Sequence, residues 1–411
     1  MSATPPQPSC RHFAALIIGA GQAGLAAAHE LVHRGLVPGE DFLVVDANTG
    51  PGGAWQHRWD SLTLGRAHGI ADLPGLPLGD PPADVPAARI VADYYGRYED
   101  AFDLRVHRPV TVTRVDSPQG RREGPLHVTL RDESRPGAAG ADQALTADLI
   151  LNATGTWTRP FIPYIPGRET FTGRQLHTHD YTRAEDFRGL RTLVVGGGLS
   201  AVQFLLELAP VTKTLWATRR PPNFLARAHD PEWGRAVEAG VTTRIRAGLP
   251  AASVVRHTGI PLWPEYVEGV HDGTLISHGM FNRITPHGVV FAGPTTNATA
   301  GLGPAGGRTA LVQPRSWQPY PGGHTEDVDV IFWNTGFRPA LDHLAPLHLR
   351  GPNGGIAIAD EVTVDADPRI YLIGYGSAAS TIGATRAGRL AGRAAARRLT
   401  REGHGVESAH V

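Results

Sequence analysis

The chain has 411 residues, 41% of them apolar and 19% charged, with a formal net charge of zero. That length suffices for two or more domains with cores of their own, and the neutral balance supplies no basic field for nucleic acid or an anionic membrane. Cys10 is the only cysteine, which excludes an internal disulfide, a Cys-x-x-Cys redox pair and a cysteine-rich zinc site. The first ten residues are polar and Pro-rich, without the basic start and apolar core of a signal peptide. No run of about 18 apolar residues is present, so the expected location is cytoplasmic.

Ala14–Ile18 is a short apolar run that reads as a buried parallel strand. Gly19-Ala-Gly21-Gln22-Ala23-Gly24 follows it, and Leu25–Val32 is rich in helix formers. Strand, glycine turn and helix in that order form a dinucleotide fingerprint. Gly19 permits the tight turn, Gly21 lets a pyrophosphate approach the backbone, and Gly24 lets helix and strand pack closely. The N–H groups at the helix start face the phosphates. The second strand, Asp41–Asp46, ends in an acid 22 residues after Gly24, where a carboxylate can accept hydrogen bonds from a ribose. In Pro51-Gly-Gly53-Ala-Trp55 the paired glycines and the tryptophan suggest backbone lying near a flat ligand. Residues 65–88 are expected to be a Gly/Pro-rich loop over the site, and Val91–Tyr98 a helix with an aromatic core face. Leu104–Val106, Val110–Val115 and Leu126–Arg131 alternate as strands of a small meander. Asp148–Gly155 is a further buried strand, ending in Thr154-Gly155 where open α/β sheets bind ligands.

A second unit of the same kind begins at Arg191. The strand Arg191–Val195 leads into Gly196-Gly-Gly198-Leu-Ser200-Ala201 and a helix over Val202–Leu208. Ala201 takes the sixth fingerprint position, which the motif allows. The next strand, Lys213–Thr218, ends in Arg219-Arg220 rather than in an acid. Arginine there favours a 2′-phosphate, hence NADP over NAD. Trp233, Trp263, Tyr266 and Trp317 are scattered aromatics, His229, His257 and His271 have no metal-ligand spacing, and 293–307 reads as a loop. Asp329–Pro339 repeats the strand-then-Thr-Gly pattern at Thr335-Gly336 and marks a crossing back to the first domain. Arg369–Gly376 is a last buried strand. Ser380 or Thr381 caps a helix running to about Leu399, whose N-terminal partial charge would stabilise an anionic ring.

The fold class is therefore α/β: two Rossmann-like dinucleotide-binding domains, the second (167–325) inserted into the first (11–166 plus 326–411). Four motifs together resemble the flavin-containing monooxygenases, particularly the short bacterial and plant-type members. They are Gly19–Gly24; Phe171-x-Gly173-x-x-x-His177-x-x-x-Tyr181; Gly196–Ala201; and the Thr-Gly pair within Asn334–Pro339. Tyr181 resembles the N- and S-oxygenating branch, since the Baeyer–Villiger branch usually carries Trp there. The resemblance implies FAD in the first domain and NADPH in the second. It also implies oxygen transfer from a flavin hydroperoxide to a nitrogen, a sulfur or a carbonyl of a small organic substrate. It adds Val110, Gly374 and Thr381 to the FAD site, beside Gly53, Trp55, Thr154 and Gly155, and Thr335 and Gly336 to the NADP site. His177, lying between the two fingerprints, is expected to couple NADPH binding to flavin chemistry. The chain departs from the family pattern at Gly65, where animal-type members carry Asn, and at Gly374-Tyr375-Gly376 in place of Gly-Asp. The implied partners are a small molecule and molecular oxygen, with no nucleic acid and no membrane, and a homodimer is an open option. An NAD(P)H-dependent reductase or oxidase without oxygen insertion, and a flavin-binding sensor, remain as other readings of the same nucleotide folds.

Overall fold

The computed structural model describes residues 11–67, 70–135, 142–225, 243–250, 259–294, 315–376 and 381–403. His68, His229, Trp233, His257, Ser380 and most of the expected loop 293–307 lie outside them. The chain divides into two compact units. Unit 1 comprises Met1–Gly155, Ala239–Ala251 and Pro339–Val411; unit 2 comprises Thr156–Glu238 and Ala252–Arg338.

Unit 1 holds a six-stranded sheet. Its strands are β1 (Arg11–Ile18), β2 (Phe42–Val45), β3 (Val110–Asp116), β4 (Leu126–Asp132), β5 (Asp142–Asn152) and β15 (Ile370–Leu372). β1 runs parallel to β2 and to β5, and β5 is shared lengthwise. The first half of β5 pairs antiparallel with β4 through Arg131↔Asp142 to Leu126↔Ala147; its second half pairs parallel with β15 through Ile370↔Ile150. Alternate residues of β1 serve opposite cores, as strand geometry requires. Ala15 and Ile17 pack with α1 (Gln22–His33), α2 (Ala87–Ala101) and the helix Thr381–Arg401, while Leu16 and Ile18 pack with Val112, Leu130 and Ile370. Tyr94, Tyr95 and Tyr98 of α2 are fully buried. Tyr94 Oη donates to Leu76 O and accepts from Leu73 N–H, and Tyr98 Oη donates to Pro74 O, so α2 pins the 73–76 part of the stretch 65–88.

Two parts of unit 1 differ from expectation. Leu104–Val106 is not a strand, because Asp103 and Arg105 take φ of 45° and 49°, which breaks an extended run. Residues 243–250 also belong to unit 1 rather than to the second domain. Gly355 N–H bonds Gly248 O at 3.0 Å, and Ile245 is buried among Leu341, Ile356 and Val364. Sequence spacing carries no sign of that return, since it rests on one buried side chain and a backbone pairing.

Unit 2 is a parallel sheet ordered β6 (Arg174–His177), β14 (Val330–Trp333), β7 (Arg191–Val195), β8 (Lys213–Ala217). Beyond β8 it continues through single bridges from Trp216 to Ser277 and from Ser277 to Trp317. Helix α3 (Leu199–Leu208) covers one face. On that side Tyr181, Phe187, Phe204 and Phe332 form an aromatic cluster, and Tyr181 Oη donates to Glu207 at 2.7 Å. The other face packs Leu193, Val195, Ile331 and Trp333 against an antiparallel meander of β11 (Phe281–Thr285), β12 (Gly288–Phe291) and β13 (Thr325–Asp327). A short pair, β9 (Phe224–Leu225) with β10 (Ile260–Pro261), and helix α4 (Pro264–His271), which buries Tyr266, complete the described part. The helix Thr381–Arg401 of unit 1 is α5.

Candidate nucleotide-binding sites

In unit 1 the glycine turn leaves β1 and enters α1 without a side-chain cap, the N-cap being Gly21. Gly19 stands at φ 101°, and a Cβ there would lie 2.6 Å from Ala153 O; a Cβ at Gly24 would overlap Gly19 O. Protein packing therefore demands glycine at 19 and 24. Gly21 is different. Its backbone is extended, with φ −82° and ψ −172°, and the nearest protein atom to a Cβ would be Gly53 Cα at 3.9 Å. Nothing in the protein itself requires glycine at 21, so the missing side chain is accounted for by a group that approaches the bare turn from outside. The uncapped N–H groups beside it favour an anion. The Pro51–Trp55 stretch crosses the same turn, for a Cβ at Gly53 would stand 2.8 Å from Gly21 Cα.

The neighbouring side chains are tied into this frame. Gln22 donates through Nε2 to Thr385 Oγ1 of α5 at 2.8 Å, while Ala23 is buried under α5, where a Cβ at Gly388 would overlap Ala23 O. Asp46, 5% exposed, accepts from Ala20 N–H at 2.6 Å and Asn48 N–H at 2.8 Å, so this acid holds the glycine turn shut. Val110 N–H bonds Asp46 O at 2.8 Å, placing β3 beside that acid. Arg108, with its Nε 3.9 Å from Asp46 Oδ1, is bound through both terminal nitrogens to Glu99 at 2.6 and 2.7 Å. Burial pushes the Glu99 carboxyl up, against the pull of Arg108. Trp55 is half-buried, with the Arg58 guanidinium 5.9 Å from its ring. Burial draws Arg58 down to about 10.

At the carboxyl end of β5 a chain of polar groups fixes Thr154-Gly155. His343 Nε2 donates to Asn152 Oδ1 at 2.6 Å, Asn152 Nδ2 donates to Thr154 Oγ1 at 3.0 Å, and Thr154 Oγ1 donates to Ala340 O at 2.7 Å. Gly155 O accepts from Ala340 N–H. Gly155 and Gly374, at φ 63° and 76°, have open space where a Cβ would stand. α5 begins at Thr381. Burial lowers His343 from 6.5 to about 4. The folded group thus binds its proton later than the unfolded chain does, and its contribution to stability is complete above pH 6.5 and lost as pH falls from 6.5 toward 4. That contribution is on the order of 3 kcal/mol. Urea midpoints should fall across this window, and His343→Gln, which retains a donor toward Asn152, should show a shallower fall.

Unit 2 repeats the turn. Gly196 stands at φ 146°, and a Cβ there would overlap Asn334 O. α3 is N-capped by Gly198 with no side-chain cap, Ser200 lies in its first turn, and Ala201 is fully buried. Trp216 Nε1 donates to Gly196 O at 2.7 Å, binding β8 to the turn. Arg219, exposed, and Arg220, half-buried, follow the end of β8. Thr335 Oγ1 donates to Phe161 O, and Gly336, at φ 79°, turns the chain after β14. His177 is 1% exposed. It donates through Nε2 to Gly336 O at 3.0 Å and accepts His179 N–H on Nδ1 at 3.1 Å, while Asp180 accepts its backbone N–H. Burial holds its pKa below 6.5, with the Gly336 carbonyl and Asp180 pulling the other way. His177 therefore stitches the second motif to the fourth, and its ring is fixed as one neutral tautomer.

A family model described as pyridine nucleotide-disulphide oxidoreductase matches residues 16–249, more than half of the chain. The chain belongs to that family. As its only cysteine is Cys10, this oxidoreductase has no cysteine pair for disulphide chemistry. It is similar to a solved flavin-containing monooxygenase from Stenotrophomonas maltophilia, at 29% identity and a TM-score of 0.71, over 95% of this chain and 99% of that one. Among curated relatives it is 29% identical over 196 residues to an uncharacterized CzcO-like oxidoreductase of Geobacillus kaustophilus, covering 47% of this chain and 51% of the relative. It is 29% identical over 252 residues to a Baeyer–Villiger monooxygenase of Streptomyces coelicolor, covering 60% of this chain and 44% of the relative. The matches thus span about half the length of these curated relatives.

Arg108, Glu99, Asn152, His343, Thr218 and Ser277 were not reached from the sequence. Only Asn152 carries a local signal, since it stands two positions ahead of Thr154-Gly155 as Asn334 stands one ahead of Thr335-Gly336. No helix among the described residues is long and apolar enough to cross a membrane, and these residues hold no cluster of metal-ligating side chains.

Proposed function

We propose that this oxidoreductase is an FAD-dependent, NADPH-consuming monooxygenase that inserts one oxygen atom into a small organic substrate, in the cytoplasm. N- or S-oxygenation is favoured over Baeyer–Villiger oxidation, since Tyr181 stands at the end of the Phe171–Tyr181 motif. The observation that carries the reading is the likeness over nearly the full chain to a flavin-containing monooxygenase. It is supported by the bare turn at Gly21, which fits a pyrophosphate and which no protein contact explains.

When bound, FAD supplies the oxygen chemistry and NADPH the hydride. The chain's own part is to bind, orient and exclude water. In unit 1, Gly19, Gly21 and Gly24 with the start of α1 would hold the FAD pyrophosphate, and Asp46 its ribose. Gly53, Trp55, Thr154, Gly155, Gly374 and Thr381 would meet the rest of the molecule. In unit 2, Gly196, Gly198, Ser200 and Ala201 would hold the NADPH pyrophosphate, and Arg219 and Arg220 its 2′-phosphate. His177, with both ring nitrogens committed, acts by positioning the Thr335–Gly336 turn, not by moving a proton to substrate.

Two results are expected. Purified protein is yellow with FAD and oxygenates members of a panel of amines and sulfides in proportion to NADPH consumed; a flavin-free protein with no oxygenated product contradicts the reading. His177→Gln retains FAD and NADPH oxidation but diverts about half or more of the NADPH to peroxide, because a flexible amide that still donates to Gly336 O no longer accepts His179 N–H as Nδ1 does, so the fixed ring between the two motifs is lost (about 1–3 kcal/mol). Unchanged coupling returns the residue to a purely structural part.

A further inference from the structure

The end of β8 carries a buried pair of hydroxyls that the fingerprint does not require. Thr218 is 3% exposed and Ser277 is fully buried. Thr218 Oγ1 lies 2.6 Å from Arg220 O and 2.7 Å from Ser277 Oγ. A threonine hydroxyl has one proton. The carbonyl of Arg220 can only accept it, so Ser277 donates to Thr218, and Thr218 donates to Arg220 O. The relay folds Arg219-Arg220 back onto the strand end directly after β8. Ser277 is held in turn as the next strand of the sheet: its N–H bonds Ser316 O, its carbonyl accepts Gln318 N–H, and Thr218 N–H bonds Gly279 O.

The same strand end reaches the glycine turn. Trp216 and Thr218, two residues apart, share a face of the sheet. Trp216 Nε1 donates to Gly196 O, and Thr218 Cγ2 lies 3.8 Å from where a Cβ of Gly197 would stand. One strand end therefore fixes both the glycine turn and the arginine turn, the two points that a pyrophosphate and a 2′-phosphate of one nucleotide would touch.

We infer that Thr218 and Ser277 are positioning residues for the 2′-phosphate end of the nicotinamide cofactor, their hydroxyl relay setting the Arg219–Arg220 turn at a fixed distance from the glycine turn. The inference rests on the assignment of Arg219 and Arg220 to the 2′-phosphate. Selectivity for the phosphorylated cofactor then depends on two buried hydroxyls as well as on the arginines, because a loosened turn loses the directional part of its hydrogen bonds to phosphate.

Isothermal titration of the purified, FAD-loaded protein with 2′,5′-ADP and with 5′-AMP tests this without turnover. Thr218→Val removes the hydroxyl at nearly constant volume and should weaken 2′,5′-ADP about tenfold while leaving 5′-AMP within about twofold. Ser277→Ala should act in the same direction by about threefold. Thr218→Ser, which retains the relay, should bind both probes as the parent does. A parent that prefers 2′,5′-ADP and a Thr218→Val variant that prefers it equally would overturn this inference alone, as would equal weakening of both probes. A parent that binds the two probes equally would overturn the arginine assignment and this inference with it.

Discussion

Gly21→Ala apoprotein will unfold at the parental temperature and yet purify without flavin. The two halves of that result have separate causes. Position 21 has φ −82° and ψ −172°, which alanine adopts freely. The added methyl would meet no protein atom nearer than 3.9 Å. It would, however, stand where the proposed pyrophosphate would approach the turn, and a loss of about 100-fold or more in FAD affinity, roughly 3 kcal/mol, is expected. Gly24→Ala makes the contrast. Its Cβ would overlap Gly19 O and stand 3.4 Å from Ala153 Cβ, so α1 must move off β1. Both the melting temperature and flavin retention should fall, by about 1–3 kcal/mol in stability. Unit 2 offers a matching pair. Gly196→Ala should abolish NADPH use because its φ of 146° and Asn334 O leave no room, whereas Gly197→Ala, 3.8 Å from Thr218 Cγ2, should be tolerated. Differential scanning calorimetry of apoprotein and flavin absorbance of the purified variants measure these effects. A Gly21→Ala protein that keeps FAD would remove the strongest structural argument for a nucleotide at that turn.

Replacing Arg219 and Arg220 together by alanine will erase the preference for NADPH over NADH. Each charge-assisted contact to phosphate contributes about 1.5–3 kcal/mol, so the KM for NADPH should rise by about 100-fold or more while that for NADH changes little. The parental KM for NADPH should also climb with salt, as expected where Arg219 is exposed and Arg220 only half-buried, and the double variant should lose that dependence. A double variant whose two KM values move in parallel would mean that the arginines support the fold of the strand end rather than the 2′-phosphate.

The glycine turns were legible in the sequence, because strand, turn and helix follow one another directly and the glycines stand at fixed spacing between them. Thr154-Gly155 and Thr335-Gly336 were legible as strand ends for the same reason. The groups that hold those ends were not. His343 meets Asn152 across 191 positions and Arg369 reaches Ser117 across 252, so neither contact leaves a period or a motif. The 104–106 run looked like a strand by its alternation, but two residues with positive φ outweighed it. The return of 243–250 to unit 1 depends on Ile245 finding an apolar pocket, which no window of sequence displays. His177 lies between these cases. Its motif was visible, while its bond to Gly336 O, which turns a lone histidine into a tie between two motifs, appears only in three dimensions.

The proposed activity is insertion of oxygen into a substrate rather than its mere reduction to peroxide. The most direct measurement is mass spectrometry of products formed from a panel of amines, sulfides and ketones under isotopically labelled oxygen gas, with NADPH consumption followed in parallel. Incorporation of a single labelled atom into product, in step with NADPH consumed, is the predicted result. NADPH consumption that yields labelled peroxide and no labelled product across the whole panel would contradict it.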